Sequence, residues 1–192
     1  MINITTTTPD GIGGYLITSD DGWATGIASQ YAPAATGPVG FLSFCLEYNE
    51  HFYPDRSYQF GLSTSAVHGG EVTSDPLSVG SGFLYSLFAK GNLPGTPELI
   101  QRTIWYLEDE QANNPGVYDM LLTSKFGSVE LAKQDFIAGE SAATYNVQVI
   151  NVGSYPDYAG QDMMVYGAPE TSGIIAGTVL AVLVMITLWR NK

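Results

Sequence analysis

The chain has 192 residues, room for one domain or for one domain with an attachment. Its 19 acids against 7 bases give a net charge of −12, which repels phosphate backbones and excludes nucleic-acid binding. One cysteine excludes an internal disulfide and a cysteine-cluster metal site, and 45% apolar residues with 12 Tyr, 8 Phe and 3 Trp exclude wholesale disorder.

The first elements read as β. Asn3–Thr8 is a Thr-rich strand candidate, and Tyr15–Ser19 is another, closed by the turn Asp20-Asp21-Gly22. A Pro/Ala/Gly loop covers 32–40. Phe41–Tyr48 is the best strand of the set, with Phe41, Ser43, Cys45 and Glu47 on one side and Leu42, Phe44, Leu46 and Tyr48 on the other. Ser57–Ser63 is a candidate to pair with it. The period then changes. Phe83, Leu84, Leu87 and Phe88 stand at helical spacing within Val79–Lys90, and Gly91 stops the run. Thr96-Pro97 reads as N-cap and first helical residue of a helix reaching about Gln111, ahead of Asn113-Asn114-Pro115-Gly116. On that helix Ile100, Ile104 and Leu107 make an apolar stripe, flanked by Gln101, Trp105 and Glu108 at the same spacing. Residues 117–138 hold another helix or two, and Tyr145–Val152 alternates as a late strand. Residues 153–172, rich in Gly, Pro, Tyr and Asp, read as a linker.

The tail differs from the rest. All 19 acids and five of the seven bases lie within residues 1–172, while Arg190 and Lys192 close the chain. Between them Gly173–Trp189 carries no charge and no polar face. As a helix it spans roughly 26 Å, close to a bilayer's hydrocarbon core. A buried core helix would show a polar face, so the expectation is a C-terminal membrane anchor. Trp189 then lies at the interface, the basic end faces the cytoplasm, and 1–172 lies outside it. The start MINITTTTPDG has no basic start and no apolar run, so the expectation is either a leader missing from this sequence, the preferred reading, or tail-first insertion of the anchor.

Cys45 alone reads as a buried apolar residue and Gln101 alone as a solvated helix glutamine. Together they carry a resemblance. Ile100-Gln101-Arg102-Thr103-Ile104-Trp105 resembles the T-Q-x-A-I-W helix motif of bacterial surface thioester domains, with Ile100 where Thr is favoured and Thr103 where Ala is. Phe44-Cys45-Leu46-Glu47 resembles the aromatic-Cys-aliphatic-acid strand motif of the same family, and the order of strand and helix matches. The resemblance covers roughly 40–110. It implies that Cys45 and Gln101 condense into a thioester with loss of ammonia, and that Trp105 shelters the bond. An amine on a partner would then displace the thiol and leave an amide. Such a protein acts once and is not an enzyme. The physics fits: a carboxamide is a poor electrophile, so a thiolate must be held against it with the carbonyl polarised. Gln101 is expected in the opening turn of its helix, where unpaired N–H groups would supply that polarisation.

Ala168-Pro169-Glu170-Thr171-Ser172, the apolar segment and Arg190-Asn191-Lys192 resemble the exosortase-processed PEP-CTERM tail, in which Pro169 and Glu170 match the short motif. The stretch also resembles a sortase LPxTG tail, and a plain anchor stays open beside both. Asp20-Asp21-Gly22 and Glu47–Glu50 read as solvated turns and not as calcium loops. No hydrolase or phosphate-loop motif occurs, and no cofactor or metal is expected.

The expected architecture is a mainly β domain, sandwich- or barrel-like, with a few inserted helices over 1–152. A linker and sorting motif follow over 153–172, and a transmembrane helix with a basic end over 173–192. The expected function is a cell-surface or biofilm-matrix protein whose thioester couples to amines on a surface protein or polysaccharide matrix. The alternative is a non-covalent structural envelope protein of the same fold without the bond.

Overall fold

The computed structural model describes residues 1–7, 13–37, 39–49, 56–67, 74–153 and 161–167. Alternation on β1 (Ile2–Thr6) and β2 (Tyr15–Ser19) buries Ile2, Ile4, Tyr15 and Ile17 on one side, and the strands pair antiparallel with Ile4 opposite Ile17. A short helix, α1 (Trp23–Ala28), follows where the sequence suggested only a turn. Gly22, at φ 78°, lets the chain swing into it; Asp21 Oδ1 accepts the Trp23 N–H (3.0 Å) and Ser19 Oγ the Ala24 N–H (2.9 Å). β3 (Gly40–Ser43) pairs with β2, and β4 (Ser57–Tyr58) with β1, giving a sheet in the order β3-β2-β1-β4.

Ser57–Ser63 therefore does not pair with Phe41–Tyr48. It splits at Gln59, and its second half, β5 (Phe60–Ser63), joins a sheet made later in the chain. The hairpin β6 (Ser65–Ala66) and β7 (Asp75–Pro76) leads into the helices. In α2 (Val79–Ala89), Ser78 is the N-cap and accepts the Ser81 N–H (3.2 Å). Gly80 lets the helix approach its neighbours: a Cβ there would sit 2.7 Å from the Ala132 carbonyl oxygen. α3 (Pro97–Leu107) starts at the Thr96 cap but stops short of Gln111. The chain reverses at Asp109 (φ 60°), and the Glu110 and Gln111 N–H groups both donate to the Trp105 carbonyl (2.8 and 3.1 Å). α4 (Asp119–Phe126) and α5 (Val129–Ala132) are separated by Gly127 at φ 91°.

A 3-10 turn at Ala142–Tyr145 leads into β8 (Val147–Val152), the centre of the sheet β5-β8-β9. β9 (Met163–Tyr166) lies inside the stretch read as a linker, so that stretch contributes a buried strand. Its run Met163-Met164-Val165 is fully buried and covers β8 on one edge.

Among the described residues all strand pairs are antiparallel. The sheet-rich expectation holds in part, but among the described residues five α-helices stand beside nine strands, and α2 packs on both β8 and β9 as a full layer of the core. Tyr85 of α2 ties the layers together: its hydroxyl bonds Tyr31 Oη (2.9 Å) and donates to the Leu42 carbonyl (2.9 Å). The expected membrane span, 173–189, lies outside the described residues. Among the described residues no helix is long and apolar enough to cross a membrane.

Candidate functional site

After β3 the chain stays extended through Phe44, Cys45 and Leu46 and runs along β9. The Met164 N–H donates to the Phe44 carbonyl (3.2 Å), and the Leu46 N–H to the Asp162 carbonyl (3.0 Å), with Cys45 bridged to Met163. Successive peptide groups of an extended chain point to opposite edges. The N–H and C=O of Cys45 therefore face away from β9, toward α3. Gln101 meets them there. Its Oε1 accepts the Cys45 N–H at 2.9 Å, and its Nε2 donates to the Cys45 carbonyl at 2.8 Å. One carboxamide thus pairs both groups of one residue, as a neighbouring strand would. Cys45 and Gln101 are each 0% exposed, so both hydrogen bonds are dry.

The stripes of α3 explain the delivery of Gln101. Ile100, Ile104 and Leu107 anchor the helix in the core, and the adjacent stripe, Gln101 and Trp105, is turned to the Cys45 segment. Gln101 is the fifth residue of α3, one turn beyond the unpaired N–H groups. Its carbonyl is polarised by the Cys45 peptide N–H and not by the helix end, which corrects the expectation. Trp105 is buried, its ring edge-on to Tyr48 at 5.0 Å and 83°. The Trp105 indole Nε1 is buried and has no hydrogen-bond partner among the described residues. The Tyr48 N–H is held by Glu110 Oε2 (2.9 Å).

Burial pushes the Cys45 thiol well above its ordinary range; a hydrogen bond from the Tyr15 side chain opposes this, and the charge of Glu47 adds to it. Glu47 was expected in a solvated turn and is instead 3% exposed, its Oε2 accepting the Asp162 N–H (3.0 Å). The fully buried Asp162 carboxylate accepts from the Val67 N–H (2.7 Å), the Asn151 Nδ2 (2.7 Å) and the Val152 N–H (3.1 Å). Sequence reasoning passed over Asp162 because it lies in the supposed linker. The apolar run Met163–Val165 after it was the available signal.

The acidic run that ends α3 also has structural work. Glu108 Oε1 accepts from Ser78 Oγ (2.6 Å) at the start of α2, Asp109 pairs with Lys133, and Glu110 holds Tyr48. No group of three or more metal-ligating side chains occurs among the described residues. A cavity of about 160 Å³ between the β6–β7 hairpin and the 3-10 turn, lined by Thr64, Leu77, Asp135 and Ser141 among others, shares no residue with the Cys45 site.

The structure thus brings Cys45, Gln101 and Trp105 to one place, with Tyr15, Glu47 and Tyr48 around them. Pro169, Glu170, Arg190 and Lys192 lie outside the described residues. Comparison with protein-family models, curated proteins and solved structures returned no match.

Proposed function

We propose that this is a bacterial surface or matrix protein in which Cys45 and Gln101 form an internal thioester that couples once to an amine on a partner surface. The supporting observation is the double hydrogen bond between the Gln101 carboxamide and the Cys45 peptide, made across 56 positions of chain in a dry setting. The sulfur would attack the Gln101 Cδ, and the charge growing on Oε1 would face the Cys45 N–H already bonded to it. Collapse breaks the C–N bond, and the thiol proton leaves with the ammonia. A primary amine later forms an amide with Gln101 and returns the proton to sulfur. The C-terminal segment, with Pro169 and Glu170 before an apolar stretch and Arg190 and Lys192 after it, would tether the module to a membrane, with or without processing.

A second reading has its own support. Both polar atoms of Gln101 are already used by the Cys45 backbone, so the residue also serves as a lasting substitute for a missing strand. Intact mass separates the two. The thioester reading expects a mass one ammonia below that of the sequence, restored by Cys45→Ala. A mass equal to that of the sequence, with Cys45 alkylated stoichiometrically after denaturation, leaves the structural reading.

A further inference from the structure

We infer that Tyr48 is a gate over the Cys45–Gln101 pair and that Glu110 is the latch holding it shut. The inference deepens the proposed function, since it rests on this pair being the reactive centre. Among the residues around the pair, Phe44, Leu46, Glu47, Trp105 and Met163 are all at most 4% exposed, whereas Tyr48 is 46% exposed. Tyr48 is thus the one of these residues that reaches solvent, and its ring packs edge-on against the buried Trp105 ring at 5.0 Å. Three contacts close a loop around this entrance. The Trp105 carbonyl receives the Glu110 N–H (2.8 Å), the Glu110 carboxylate receives the Tyr48 N–H (2.9 Å), and the Tyr48 ring abuts Trp105. The turn at Asp109 that ends α3 early is what places Glu110 for this contact.

The indole N–H of Trp105, whose ring lies against Tyr48, is buried and has no hydrogen-bond partner among the described residues. A donor left unpaired in the interior costs free energy and calls for an acceptor. Trp105 follows Gln101 by one helical turn, so that donor belongs to the same stripe as the acyl carbon. An entering acceptor molecule with an oxygen beside its amine would satisfy it.

The test uses the full chain and measures the rate of modification at Cys45–Gln101 under native conditions. Intact mass first reports the state of the pair. With a free thiol the probe is iodoacetamide; with the ammonia lost it is methylamine. A missing thioester therefore counts against the proposed function and leaves the gate to be judged separately. Tyr48→Ala and Glu110→Ala are each expected to raise the rate about three- to tenfold, the scale of one aromatic contact or one charge-assisted hydrogen bond. The double variant should be no faster than the faster single one, and Tyr48→Phe should keep the wild-type rate. If Tyr48→Ala fails to fold, Glu110→Ala carries the test by itself. Unchanged rates in folded Tyr48→Ala and Glu110→Ala would overturn the proposal. So would an equal acceleration in Leu122→Ala, which loosens the core away from the entrance.

Discussion

Gln101 does the work of a strand with one side chain. Replacing it by Leu keeps the volume but strands the Cys45 N–H and C=O in the interior. At ~1–3 kcal/mol for each of the two buried unpaired groups, the loss relative to a wild type with an intact Gln101 carboxamide should be about 2–6 kcal/mol in urea denaturation. A loss below about 1 kcal/mol would mean that water or a neighbouring peptide takes over. The same arrangement sets a cost on the chemistry. When ammonia departs, the Cys45 carbonyl loses the Nε2 donor it now has at 2.8 Å, so part of what bond formation gains is returned as an unpaired acceptor. At this scale the site was half legible. Cys45, Gln101 and Trp105 carried a motif resemblance, and the alternation in Phe41–Tyr48 already put Cys45 and Glu47 on one side. The burial of Glu47 and Asp162 was not legible, because what surrounds a carboxylate is assembled from distant segments, here Val67, Asn151 and Val152.

At the level of elements, caps and stops were the reliable signals. Thr96-Pro97 opens α3 and Gly91 (φ 71°) follows α2, as their chemistry demands. α1 escaped notice because six residues containing Gly26 carry too little periodicity to show. Strand pairing was less visible still: the period-2 pattern of Ser57–Ser63 identifies strand but not partner, and the open side of Phe44–Leu46 was already taken by 162–164. Ser78 joins two elements, accepting the Ser81 N–H for α2 and donating to Glu108 at the end of α3. Ser78→Ala should therefore cost more than Thr96→Ala, which removes a single 3.4 Å cap contact: about 2 kcal/mol against about 1 or less, read as the shift in urea midpoint. Equal shifts would show that the Glu108 contact contributes nothing.

Across the whole molecule, excess negative charge meets one half-buried carboxylate with a raised pKa, Glu108. Burial raises Glu108 to about 7, against the opposing Ser78 hydrogen bonds, and burial likewise raises Asp75, with Asp135, Glu110 and Asp109 adding repulsion. Folded Glu108 holds its proton at a pH where the unfolded chain has released it. Stability should therefore fall as pH rises from about 4.5 to about 7, with the loss complete above the folded value. Glu108→Gln should flatten that slope in urea midpoints taken between pH 5 and pH 8, and an unchanged slope would assign it elsewhere. Topology was the least legible feature, since the Gly- and Pro-rich composition of 153–172 concealed β9, the strand on which the Cys45 segment lies. Its orientation has a mechanical corollary. A load entering from the C-terminal side would meet the Gln30 bond to the Gly167 carbonyl (2.7 Å) and the Tyr166–Val147 rung first, and the Met163–Cys45 bridge only after them. Traction on such a tether would be spent on expendable rungs before it reached the sulfur.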